Sequence, residues 1–126
     1  MRELEAASII CAMLNGEPEV KREFIIDQGP QYVKIDCETE THAIEIGLDK
    51  RSSLDSVQQA EFAAWVTGKK PKVIIVDRDG IESAIEYRIR TASKRFGIEY
   101  STISGDFLVR WQMTSYLRQR RSEDIE

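Results

Sequence analysis

In the stretch PKVIIVDRDG, the run Val73-Ile74-Ile75-Val76 is apolar at four successive positions and is closed by a turn signal. A strand sends successive side chains to opposite faces, so such a run has to be covered on both sides. Segments with helical spacing stand ready on either side. Before it, Leu54, Val57, Phe62 and Trp65 form a stripe with Gly68 as the stop. After it, Ile85, Ile89, Ala92 and Phe96 form another, stopped by Gly97. A strand flanked by helices in this way points to an α/β chain with parallel pairing.

The remaining periodicities complete the order. Residues 2 to about 14 read as a helix with Leu4, Ala7, Ile10 and Leu14 on its packing stripe. Strands are expected over 22–28, 31–37 and 42–48, the first two joined around QGP. IEYSTI reads as a further strand and DFLVRWQMTSYLRQRR as a basic helix. The expected order is α-β-β-β-α-β-α-β-α, a mixed sheet flanked by helices. The 126 residues suffice for one domain, 1–126, with one modest core.

VIIV is too short to cross a bilayer, and no membrane partner is expected. MRELEAASII carries acids where a secretory leader carries bases. Cys11 and Cys37 lack partners at metal-ligand spacing and are expected as buried thiols in a reducing, cytoplasmic compartment. A net charge of −4 argues against indiscriminate coating of nucleic acid, which depends on cations displacing counterions. Charge is uneven, however. From Phe107 to Ser122 there are four arginines and no acid.

The segment YVKIDCETETHAIEIGLDKR carries an acid in the middle of each of two strand-like stretches. Alternation puts Tyr32, Lys34 and Asp36 on one side and Val33, Ile35 and Cys37 on the other; beyond the ETET turn, Ala43, Glu45 and Gly47 share a side. Paired as a hairpin, Asp36 and Glu45 meet. Two carboxylates about 4 Å apart repel by about 1 kcal/mol in water and about 4 at an effective dielectric of 20. Solvent screening, a shared proton or an intervening cation must answer that repulsion, and oxygen donors suit Mg²⁺ or Mn²⁺. The plainer alternative is that both acids decorate the wet face of a hairpin.

IDCETETHAIEIGLDKRSSLDSVQQAEFAA resembles the core of the PD-(D/E)XK nuclease superfamily, in the style of small phage and prophage proteins related to resolvase-like and RecB-like nucleases. The resemblance implies a restriction-endonuclease-like mixed β-sheet and Mg²⁺- or Mn²⁺-dependent hydrolysis of phosphodiester bonds in DNA. It also implies metal ligation by Asp36, Glu45 and the Ile46 carbonyl, and an amide from Gln59. An acid from the first helix would join them: Glu3, with Glu5 as the fallback. The lysine expected two residues beyond Glu45 is replaced by Gly47. Lys50 is the nearest substitute, and Lys34 shares the face of Asp36. A duplex substrate implies a homodimer, and a phage-encoded chain would work in its host's cytoplasm.

Each residue has a plainer role beside the functional one. Lys50 is also a solvated strand-end lysine, Glu3 a helix-dipole acid, and Gln59 a buried structural amide. His42 is expected to order its turn. Arg118, Arg120 and Arg121, near Trp111 and Tyr116, form the first candidate nucleic-acid surface; Arg88 and Arg95 form the second. Two other readings stand beside the enzyme. One is a nuclease fold that binds DNA without cutting it, favoured by Gly47. The other is a Toprim-like acidic site joining Glu45 to Asp77 and Asp79.

Overall fold

The computed structural model describes residues 1–119, so Arg120 and Arg121 lie outside the described residues. The chain runs α1 (Glu3–Met13), β1 (Glu17–Ile26), β2 (Gly29–Glu38), β3 (His42–Leu48), a 3-10 segment (Arg51–Asp55), α2 (Ser56–Thr67), β4 (Lys70–Asp77), α3 (Ala84–Arg95), β5 (Glu99–Ser104) and α4 (Gly105–Met113). The five strands form one mixed sheet in the order β1-β2-β3-β4-β5. The first three pair antiparallel, and β3, β4 and β5 pair parallel through α2 and α3. This is an α/β fold with a mixed sheet flanked by helices, in the order expected. Among the described residues no helix is long and apolar enough to cross a membrane.

The apolar run does what its composition demands. Ile74 and Val76 pack on one face with Ala6, Ile10, Cys11 and Leu108 from α1 and α4. Val73 and Ile75 pack on the other with Ala60 and Ile89 from α2 and α3. Three layers result, with β3 and β4 at the centre.

Boundaries and helix faces differ from expectation. β1 begins at Glu17 rather than 22, and the chain turns at Asp27–Gln28, with Gly29 at φ 115° opening β2. On α2 the buried positions are Ser56, Ala60 and Ala63, not the larger residues of the expected stripe. Small side chains let the helix lie close over β3 and β4. Trp65 is 79% exposed as a result, and with Phe24, Ile25 and Phe62 it lines an open apolar groove beside β1. Leu4 and Phe96, both expected in the core, are also exposed.

Cys11 and Cys37 are not free thiols. They form a disulfide that ties α1 to β2, with Cα atoms 5.5 Å apart. This corrects the expected reduced pair: α1 lies flat against the end of β2, which brings together two residues 26 apart in sequence. Gly16 packs on the bridge, since a Cβ there would sit 2.5 Å from one sulfur and 2.9 Å from the other.

Closing a loop of that length removes chain entropy from the unfolded state worth about 3.5 kcal/mol. Reduction, or the double substitution Cys11→Ser/Cys37→Ser, should lower unfolding free energy by about that amount in urea titrations. A titration midpoint indifferent to reductant would contradict the bridge.

Candidate functional site

β2 and β3 start as a regular hairpin. Thr39 N–H donates to His42 O (2.9 Å), and Glu38↔Ala43 and Cys37↔Ile44 are paired. Hydrogen-bonded pairs alternate along an antiparallel ladder, so after Thr39/His42 and Cys37/Ile44 the next is due at Ile35/Ile46. There the regular pairing has ended, and Ile46 N–H donates instead to Asp36 Oδ2 at 2.9 Å. The faces change at the same point. Cys37 packs under α1, whereas Val33 and Ile35 pack with Ala43 and Ala63 under α2. The single face expected for Val33, Ile35 and Cys37 is therefore split at Asp36. On β1, the pairs Pro18↔Cys37 and Val20↔Ile35 bracket Glu19, which has φ 51°, a left-handed conformation uncommon outside glycine.

The parting of the two strands opens a cavity of about 370 Å³. Glu3 enters from α1, Glu19 from β1, Lys34 and Asp36 from β2, and Glu45 and Ile46 from β3. Ser53, Ser56 and Gln59 close the remaining side. Glu3, Asp36, Glu45, Ile46 and Gln59, named from sequence, are thus brought together. Lys50 does not line the cavity; it stands exposed just before the 3-10 segment. Glu5, the fallback acid, is instead paired with Arg2. Gln59 is exposed at the rim, not a buried amide. In a strand the N–H and C=O of one residue face the same neighbour. With its N–H on Asp36, Ile46 turns its carbonyl toward the opened side as well.

Glu45 is only 5% exposed, and its carboxyl lies beside that of Asp36. Burial first, and the neighbouring Asp36 carboxylate second, push the Glu45 carboxyl up to about 9. Among the described residues no lysine or arginine forms an ion pair with Asp36 or Glu45; Lys34, the cation in the cleft, pairs with Glu19 at 3.1 Å. A proton therefore answers the repulsion between the two acids. A hard divalent cation suits the same oxygen donors, with Glu3 and the Ile46 carbonyl nearby.

Gly47 has a steric reason. A Cβ at this position would lie 2.5 Å from Ser53 Oγ and 3.4 Å from Glu3 Oε1. Ser53 is held there by its bond to the Leu48 carbonyl (2.5 Å). The space where a motif lysine would start is filled by a serine and by the approach of Glu3. Glu19, Ser53 and Ser56 were not singled out from sequence. For Glu19 the signal existed only in the β1–β2 register, and for the serines in the SSLDS run that leads into α2.

His42 orders its turn, with ring nitrogens on Thr41 (2.7 Å) and Glu99 (2.9 Å). Arg118 folds back on α4, its guanidinium 3.5 Å from the Trp111 ring centre and bonded to the Trp111 carbonyl. Arg88 and Arg95 share an open face of α3 with exposed Tyr87 and Phe96. The acids of the Toprim-like reading are not assembled as expected. Glu45 stays in the cleft, whereas Asp77 and Asp79 gather with Asp49 and Glu86.

The raised Glu45 carboxyl has a stability consequence with a definite sign. Between the unfolded value near 4.5 and the folded value near 9, only the folded state holds the proton, so raising pH favours unfolding. In chelator, stability should fall across that window by at most about 1.4 kcal/mol per pH unit. Glu45→Gln should flatten the profile and raise the melting temperature at alkaline pH. A profile unchanged by Glu45→Gln would remove the protonated pair.

Compared with protein-family models, curated proteins and solved structures, the chain matches none of them. The function of the cleft is therefore read from its own residues.

Proposed function

We propose that the cleft is a divalent-metal site and that the protein is a Mg²⁺- or Mn²⁺-dependent nuclease acting on DNA. One observation carries this reading: two adjacent acids, one of them almost fully buried, face an open cavity, and among the described residues no lysine or arginine is ion-paired with them. Without metal a proton balances the pair, and a divalent cation entering from the cavity would take that proton's place. Asp36, Glu45 and the Ile46 carbonyl would hold the metal, and Glu3 would complete the donor set. When bound, the metal lowers the pKa of a coordinated water and neutralises charge on phosphoryl oxygens.

The chain's own residues do the rest. Asp36, fixed by the Ile46 N–H, is oriented before any ligand arrives. Lys34, rather than Lys50, is the cation placed to meet a phosphate, after exchanging Glu19 for the substrate. Ser56 and Gln59 offer hydrogen bonds to water on the side opposite α1. The open face of α3, with Arg88 and Arg95 beside two aromatics, is the favoured surface for tracking nucleic acid.

The decisive measurement is cleavage of duplex, branched and single-stranded DNA with Mn²⁺. Glu45→Ala should lower turnover at least about a hundredfold, and Lys34→Ala about ten- to a hundredfold with metal affinity little changed. Lys50→Ala should leave both as they are. Metal binding without any cleavage would favour the second reading, a DNA-binding module whose lysine position is blocked by Ser53.

For the surface, the slope of log affinity against log salt on duplex DNA is the readout. Losing Arg88 and Arg95 to alanine should flatten it by about 2, since each phosphate contact contributes about 0.9. A slope unmoved by both substitutions would take α3 out of the interface.

A further inference from the structure

The C-terminal ends of the parallel strands hold a second group of acids, apart from the cleft. Asp49 follows β3, Asp77 ends β4, Asp79 sits in the turn beyond, and Glu86 comes from the first turns of α3. One carboxylate oxygen from each lies within 4.8 Å of the others.

Most of these acids have local explanations. Asp77 Oδ1 accepts the N–H groups of Asp79 (3.1 Å) and Gly80 (2.8 Å), and Asp79 Oδ1 accepts that of Ile81 (3.0 Å). Both are turn residues. Asp49 accepts the Arg78 N–H at 3.0 Å and is ion-paired with its guanidinium. Glu82, nearby, is committed to Arg90.

Glu86 has no such explanation. Its residue is 1% exposed, and its Oε1 has no hydrogen-bond partner among the described residues. The pattern Ser83-x-x-Glu86 offers it one: in a capping box the glutamate returns to the N-cap backbone N–H. Ser83 keeps its half of the arrangement, accepting from Glu86 N–H at 3.2 Å, while Oε1 remains unmatched among the acids. A buried acceptor left unpaired costs about 1–3 kcal/mol. Burial, followed by the charges of Asp77, Asp49, Asp79 and Glu82, pushes the Glu86 carboxyl up to about 7.

We propose that Asp49, Asp77, Asp79 and Glu86 form a second site for a hard divalent cation of the Mg²⁺, Mn²⁺ or Ca²⁺ kind, distinct from the cleft. The spacing suits it: oxygens across such an ion, at about 2.1 to 2.4 Å from it, are about 4.2 to 4.8 Å apart. The cation satisfies the orphaned Glu86 oxygen and clamps the end of β3, the turn after β4 and the start of α3 to one another. Binding to the folded state alone raises stability by linkage.

The test starts from the Asp36→Asn/Glu45→Gln variant, which removes the cleft's donors, and titrates it with Mn²⁺ followed by paramagnetic resonance and by melting temperature. One Mn²⁺ should still bind, with a rise in melting temperature. Adding Glu86→Gln, or separately the exposed Asp79→Asn, should weaken that binding by at least about tenfold, the loss usual for disturbing a metal's surroundings. Asp79→Asn decides the matter if Glu86→Gln does not fold. The second site is overturned if the cleft-less variant binds no Mn²⁺, or if its binding survives Asp79→Asn unchanged.

Discussion

A single hydrogen bond organises the functional half of this protein. Ile46 N–H is due to a carbonyl of the neighbouring strand and goes instead to the side chain of Asp36. A backbone donor at the centre of a sheet cannot be left unpaired, because burial without a partner is costly. The carboxylate meets that requirement, and the strands are released from each other beyond Cys37↔Ile44. The same bond that completes the backbone's hydrogen bonding opens the cavity and fixes one of its acids.

Around that opening the elements are held by interactions of different kinds. The Cys11–Cys37 bridge fastens α1, the carrier of Glu3, to the strand that carries Asp36. On the other face, the buried Glu38 accepts Arg22 from β1 at 2.5 Å and Lys69 from the α2–β4 connection at 2.9 Å. The Arg22 hydrogen bond, more than any other contact, holds the Glu38 carboxyl below the usual range against its burial. Covalent and ionic ties thus flank the place where the ladder gives way.

The acid pair was legible in sequence because two periods of two and one short turn leave little freedom. Once the hairpin closes at ETET, residue 36 must face residue 45. The order of elements was legible for a similar reason, since VIIV admits few environments. Helix faces were not. On α2 the eye follows Leu54, Phe62 and Trp65, whereas close approach to the sheet selects Ala60 and Ala63 and turns Trp65 outward. Spacing favoured Lys50 over Lys34, and only the course of the chain after β3 reverses that order, leaving Lys34 in the cleft and Lys50 outside it. The disulfide depends on α1 lying against β2, and Glu86 on an orphaned oxygen. Neither leaves a pattern in a linear string.

The outer strand β1 bears on how the molecule behaves toward its own copies. An uncovered edge is a template for cross-β growth unless something blunts it. Here Pro18 lacks an N–H, Glu19 breaks the pleat, and Lys21, Arg22 and Glu23 crowd the strand with charge. Only Phe24-Ile25-Ile26, beside Trp65, is left apolar at the rim. Three residues fall short of the five or so that a typical strand spans. The sheet therefore ends at β1 by the composition of that strand, with no helix covering its edge among the described residues.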